Sequence, residues 1–223
     1  MKKLLITIDG PAGAGKTSVS RSLARQLSYI YVDTGALYRG VALTVKNSGI
    51  CPDNDDELEK LCQTLDLKFI YSKTKTCLVS GSSDISSLIR TPEISMLASA
   101  ISAKPVVRKY LLKIQRNMGK KKGIVFEGRD MGTVVFPDAD VKFFLDASLK
   151  TRALRRYNEL KHNNTQTLED IEKNICLRDK NDSTRKIAPL KPAQNAIIIN
   201  STNISINQVV SQMMSYISKI EKI

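Results

Sequence analysis

The sequence predicts a three-layer α/β fold, a five-stranded parallel sheet with helices on both faces. Three observations predict it. Short apolar runs alternate with segments of helical periodicity along most of the chain. A Gly-rich turn joins the first apolar run to the first helix. Charged clusters follow the ends of several runs, where an open parallel sheet binds its ligands.

The elements follow in order. Leu4–Ile8 is an apolar run closed by Asp9, too short for the core of a signal peptide, and is read as a buried first strand. Lys16–Gln26 is helical, with Val19, Leu23 and Leu27 at helical spacing. Tyr29–Val32 is a second strand, closed by Asp33. Thr34 is expected to cap a helix over 36–47 that stops near Gly49.

Residues 50 to 90 break the rhythm. The acidic stretch DNDDELEKL opens a short helix, and LKFIY and TCLVS around the polar SKTK read as a hairpin. This stretch is an insertion on the core. Helices at Pro92–Ser102 and Pro105–Met118 each carry proline in the first turn, where its missing N–H costs nothing. Strands resume at Ile124–Glu127 and Val141–Asp146. Ser148 caps a helix running to Lys161, and Thr167 with Asp170 resembles a capping box for another. Ala196–Asn200 is the last strand, and Ser205 with Gln208 forms a second capping box before the C-terminal helix. Five short apolar strands separated by helices imply a parallel sheet buried on both faces.

Composition narrows the function. A chain of 223 residues suits one compact core with small insertions. Hydrophobic residues at 42% and charged residues at 26% are the balance of a soluble globular protein. No apolar run approaches the ~20 residues of a membrane helix. Four cysteines form no CxxC pair, and the one histidine, His162, lies in a polar stretch that reads as a solvated loop. These features speak against zinc, disulfide and histidine-triad chemistry and fit a reducing compartment. The net charge of +13 points to an anionic partner, phosphate or nucleic acid, although the lysines are spread without a long basic run.

Gly10-Pro11-Ala12-Gly13-Ala14-Gly15-Lys16-Thr17 satisfies G-x-x-x-x-G-K-[ST], the P-loop of nucleoside triphosphatases, and it lies between a strand and a helix as that motif requires. Its glycines let successive N–H groups turn inward around phosphate oxygens. The helix behind adds its positive N-terminal end. Lys16 supplies a point charge for the β- and γ-phosphates, and the Thr17 hydroxyl can coordinate Mg²⁺. GTPases, ATPases, helicases and small-molecule kinases share this loop, so the acceptor must be read elsewhere. The N/T-K-x-D segment by which a GTPase reads guanine does not occur.

Four clusters bear on the acceptor. Asp33–Arg39 follows the second strand and places Arg39 one turn into its helix. Glu127–Thr133 follows the third core strand, with Glu127 where an acidic residue holds Mg²⁺ or its water. Arg178–Arg185 follows a helix. Arg152, Arg155 and Arg156 share a face of another. Positioned guanidinium groups stabilise the distributed charge of a transferring phosphoryl group.

The chain resembles the bacterial cytidylate kinases. The matching pieces are Ile8–Thr17, Asp33–Arg39, Ile89–Glu93, Glu127–Asp140, Lys142–Ser148, Arg178–Leu190 and Asn200–Thr202, in family order over nearly the whole chain. The run GRDMGTVVFPDA is highly specific; the P-loop alone is not. The resemblance implies phosphorylation of CMP and dCMP by ATP with Mg²⁺, in pyrimidine nucleotide metabolism. It implies a cytoplasmic monomer with no nucleic-acid or membrane partner.

It also implies residue roles. Gly10–Ser18 would hold the ATP phosphates, with Thr17 and Glu127 toward the metal. Arg39, Arg129 and Arg185 would grip the monophosphate, beside Thr34. Asp182 with Arg178 would reach the ribose hydroxyls. Ser99, Arg108 and Asp130 would read cytosine, whose amino group suits a carboxylate and whose N3 and O2 suit an arginine. Lys16, Arg129, Arg152 and Arg185 would act on the transfer itself. Residues 42–105 would be the monophosphate-binding insertion and 157–174 a lid that excludes water. Glu127 stands where many members carry Asp, and Thr34 where many carry Ser.

Overall fold

A computed structural model describes residues 3–71, 76–160 and 166–220. The turn expected at SKTK, His162 and the centre of the expected lid lie outside the described residues.

The core strands are β1 (Leu5–Asp9), β2 (Ile30–Asp33), and, after the insertion, β6 (Ile124–Gly128), β7 (Val141–Asp146) and β8 (Ile197–Asn200). They form one sheet in the order β2-β6-β1-β7-β8. β1 runs parallel to β6 and to β7, and β7 parallel to β8, with Asp9 level with Gly128. Parallel pairing needs crossovers, and the helices supply them. β1 and β6 are buried at every position, as a central strand covered on both faces must be. Helices α1 (Lys16–Leu27) and α8 (Ile206–Ile220) pack Val19, Leu23, Val210 and Met213 against Ile6, Ile8, Val125 and Phe143. Phe126 is fully buried and meets the Phe136 ring at 4.5 Å between centroids. Helices α6 (Leu149–Leu160) and α7 (Leu168–Thr184) join through Ala153, Ile171 and Ile175, with Ala12 of the P-loop in the same cluster.

Residues 33–118 cluster as a compact unit of their own, and residues 1–32 with 119–223 form the other. The smaller unit holds α2 (Thr34–Asn47), α3 (Asp55–Thr64), a three-stranded sheet of β3 (Leu67–Tyr71), β4 (Thr76–Ser80) and β5 (Ser83–Asp84), α4 (Pro92–Ile101) and nearly all of α5 (Pro105–Gly119). β3 and β4 pair antiparallel as the expected hairpin, and β5 adds a short third strand that polar Ser83 and Asp84 conceal in the sequence. Its core is Leu37, Val41, Leu58, Leu78, Ile101 and Leu111.

Two local expectations are corrected, and one turn is new. Asp33, not Thr34, caps α2: its carboxylate accepts from the Ala36 N–H at 3.2 Å, and Thr34 is already the first helical residue. The Arg178–Thr184 cluster does not follow α7 but forms its last two turns, because the chain stays helical to Arg185. Met131–Val135 forms a single wide π-type turn, with the Val135 N–H donating five residues back to the Asp130 carbonyl at 3.2 Å. The expected capping boxes form at both sites, Thr167 with Asp170 and Ser205 with Gln208.

Phe126→Ala removes one of the two largest fully buried side chains of the sheet. It is expected to cost about 3–5 kcal/mol of unfolding free energy in denaturant titrations, and a loss under about 1 kcal/mol contradicts this packing.

Candidate active site

The P-loop leaves β1 at Gly10, where φ is +148° and a Cβ would lie 2.0 Å from the Leu145 carbonyl oxygen. Only glycine can pass so close to β7. Gly15 sits at φ +89° and starts α1. Between them the loop's carbonyls are held from outside. Arg152 donates to the Ala12 carbonyl at 3.0 Å and to Ala147 O at 2.9 Å, and pairs with Asp179. Asp179 accepts from the Ala12 N–H at 3.3 Å. Ser201 donates to Ala14 O at 3.1 Å and accepts from Arg155 at 3.0 Å. Arg156, expected on the same face, pairs instead with Glu159.

Lys16 is 4% exposed, and its ammonium donates to the Pro11 carbonyl at 2.6 Å. Burial and then the nearby Arg129 lower its pKa from 10.5 to about 7. The Thr17 hydroxyl donates to one oxygen of Glu127 at 2.9 Å, and the Tyr31 hydroxyl donates to the other at 2.6 Å. Thr17 and Glu127 therefore meet, and Tyr31 is a partner that the sequence reading missed. Alternation along β2 places Tyr31 on a chosen face, but nothing local says that Glu127 lies 96 residues away beside it.

Beyond β6, two ion pairs cross between clusters. Arg129 Nε donates to Asp182 at 3.0 Å, and Arg185 lies 3.6 Å from Asp130 and 3.9 Å from Asp182. All four side chains are largely buried. Burial works to raise the Asp182 pKa, but Arg129, Arg178 and Arg185 overcome it and hold the carboxyl below its usual range. Burial likewise works against the Arg129 cation, and Asp182 more than offsets it. The four residues Arg129, Asp130, Asp182 and Arg185 are thus gathered by the core, with Arg178 within electrostatic reach.

The other unit carries the remaining expected residues. Arg39 pairs with Asp33 at 2.7 Å, and Gly35 leaves the room, since a Cβ there would meet the Arg39 guanidinium at 3.0 Å. Arg108 is buried, donates to the Ser102 carbonyl at 3.1 Å and stacks on the Tyr38 ring at 5.8 Å. The Ser99 carbonyl accepts from Ser102 at 2.7 Å. Thr34 is buried at the start of α2.

A P-loop, a hydroxyl–carboxylate pair at its mouth and a set of buried guanidinium groups are the parts of a phosphoryl-transfer site. The family model described as cytidylate kinase matches residues 6–219. The chain belongs to the cytidylate kinase family. A cytidylate kinase of Geobacter sulfurreducens is 46% identical over 220 residues, covering 98% of this chain and 94% of the relative. One of Limosilactobacillus reuteri is 41% identical over 222 residues, covering 99% and 97%. Among solved structures, a gluconokinase from Sinorhizobium meliloti (TM-score 0.52, 12% identity, 98% and 93% covered) and a shikimate kinase from Acinetobacter baumannii (0.50, 14%, 98% and 94%) share the fold. In this cytidylate kinase fold no described helix is long and apolar enough to cross a membrane.

The lowered Lys16 pKa has a testable sign. The folded chain binds fewer protons than the unfolded one between about pH 7 and 10.5, so this lysine's burial cost is full below about 7 and fades as pH rises. Phosphate oxygens restore the charged form. ATP binding at pH 8 is expected to take up close to one proton, read by calorimetry in two buffers of different ionisation enthalpy. The uptake vanishes at pH 6 and in Lys16→Met; its absence from the native protein at pH 8 refutes the assignment.

Proposed function

We propose that this chain transfers the γ-phosphoryl group of ATP to CMP and dCMP, as a monomer in the cytoplasm, with no nucleic-acid or membrane partner. The observation that carries the reading is the pairing of an intact P-loop with the buried Arg129–Asp182 and Arg185–Asp130 set within one compact unit.

The residues divide the work. Gly10, Pro11, Ala12, Gly13, Ala14, Gly15, Lys16, Thr17 and Ser18 hold the donor phosphates. Lys16 carries its charge to the transferring group. Arg129 and Arg185 hold the acceptor phosphate, and guanidinium groups suit it because they offer paired donors in a fixed plane. Asp182 and Arg178 take the ribose hydroxyls, and Asp130 accepts from the cytosine amino group. Thr34, Arg39, Ser99 and Arg108 are assigned to the acceptor on the family resemblance. Residues 42–105 serve as the acceptor-binding segment and 157–174 as the lid. Arg152 acts on the transfer from α6, through its bond to the loop carbonyl at Ala12.

The donor set of Thr17 and Glu127 fits Mg²⁺, a hard cation that keeps several waters and takes few protein oxygens beside phosphates. When bound, Mg²⁺ neutralises charge on the donor phosphates. Glu127 and Thr17 orient its side of the site, and Tyr31 holds the carboxylate from behind. No covalent enzyme intermediate is required; transfer is in line, and catalysis comes from positioning and charge.

A coupled assay over CMP, dCMP, UMP, AMP and shikimate tests the reading. CMP is expected to lead UMP in kcat/KM by at least about 10², since uracil would set a carbonyl against the Asp130 carboxylate. Lys16→Ala, with folding verified, is expected to lower kcat on the order of 10²–10³. Turnover of UMP without CMP would sink the base assignment, and full activity in Lys16→Ala the mechanism.

A further inference from the structure

Asp9 is a buried carboxylate that the phosphate chemistry does not use. It is 4% exposed, at the end of the central strand β1, one residue before the P-loop. Both of its oxygens accept main-chain hydrogen bonds from a segment 122 residues away: Oδ1 from the Met131 N–H at 2.9 Å and Oδ2 from the Gly132 N–H at 2.7 Å. Those are the first two N–H groups of the π-type turn Met131–Val135, groups that a helical turn cannot satisfy for itself.

The residue in position to cap that turn is Asp130. Asp is among the preferred capping residues, and its carboxylate would ordinarily reach back to such N–H groups. Here it makes no capping bond. Its carboxylate lies toward Arg185 instead, at 3.6 Å. The turn is also seated tightly on β1 and β7. A Cβ on Gly132 would come within 3.0 Å of the Thr7 hydroxyl and 3.2 Å of the Lys142 stem. The turn therefore lies where Asp9 can reach it.

We propose that Asp9 is a positioning residue that caps the Met131–Val135 turn in place of Asp130, leaving the Asp130 carboxylate to read the acceptor base. The inference rests on the acceptor role given to Asp130 above. Asp9 would then set base selectivity without touching the substrate. Burial pushes its carboxyl up to about 6, with Asp130 acting in the same direction, while the two N–H groups and Lys16 oppose the rise. A carboxylate kept in so unfavourable a place has its compensation in those two bonds.

Asp9→Asn tests this. It preserves shape but turns an NH₂ toward one of the two N–H donors. The KM for CMP is expected to rise about tenfold, and the CMP-over-UMP ratio of kcat/KM to fall by about as much, the size of one lost cap. The KM for ATP should stay within about twofold. A crystal structure of the variant should show the Asp130 carboxylate turned onto its own turn. A folded variant with unchanged CMP constants and Asp130 still facing Arg185 overturns the proposal, as does equal loss of ATP and CMP binding, the mark of a general prop. If Asp9→Asn does not fold, Asp9→Ser is read by the same two measurements. Asp130→Asn is assayed beside them. Should it leave base selectivity intact, the acceptor role of Asp130 has failed, and the cap is judged by where Asp130 lies in the variant crystal.

Discussion

A peptide unit that turns its N–H toward an anion must turn its carbonyl away from it. A loop that grips phosphate with its amides therefore needs partners for carbonyls on its outer side, or it leaves buried acceptors unpaired. Ala12 and Ala14 meet this need through Arg152 and Ser201, whereas the Pro11–Ala12 unit is turned the other way, its carbonyl on Lys16 and its N–H on Asp179. The placement of α6, of the first turns beyond β8 and of Asp179 on α7 follows from this requirement. Ser201 joins the loop across 187 residues of sequence, and Asp179 across 167. The elements that close the sheet at one edge also hold the loop's shape.

Charge on the two sides of the site is managed differently. Arg129 and Arg185 are each set against a carboxylate, so their burial is compensated within the protein. Lys16 is bonded to a carbonyl and has lost most of its ordinary basicity. Lysine can shift in this way because it is a point charge that releases its proton when desolvated, whereas arginine stays charged. The Lys16 ammonium rests on a neutral carbonyl, while Arg129 and Arg185 are neutralised by carboxylates in advance.

What the sequence made legible was local. The P-loop, the sheet strands, the hairpin and both capping boxes are patterns within a few residues, and each forms. That Thr17 and Glu127 lie near one another could also be anticipated, because the P-loop that leads to Thr17 leaves the carboxyl end of one core strand and Glu127 lies near the carboxyl end of another, at the edge where such a sheet binds its ligands. Tyr31, Ser201, Asp179 and Asp9 could not, since each acts through a partner 96 or more residues away and no motif gives it that role. The cap of α2 was misplaced by one residue for a different reason. Asp33 and Thr34 are both good caps, and choosing between them needs the backbone angle, which at Asp33 is still extended. The helical state of Arg178–Thr184 was hidden by its polarity: Ser183 and Thr184 at its end donate back to the Lys180 carbonyl, so residues that usually break a helix finish this one.

Asp9 and Gly10 are neighbours in the chain and face opposite tasks. Gly10 lacks a side chain so that the P-loop can pass the β7 backbone, and Asp9 extends one so that the Met131–Val135 turn can rest on β1. Because Asp9 is level with Gly128 in the β1–β6 ladder, the strand that delivers Arg129 and Asp130 is registered to the same point. A shift of one residue in that register would exchange the faces of the sheet and part Asp9 from its two amides. The P-loop and the Arg129–Asp130 segment are therefore placed relative to one another at one strand end, by backbone pairing.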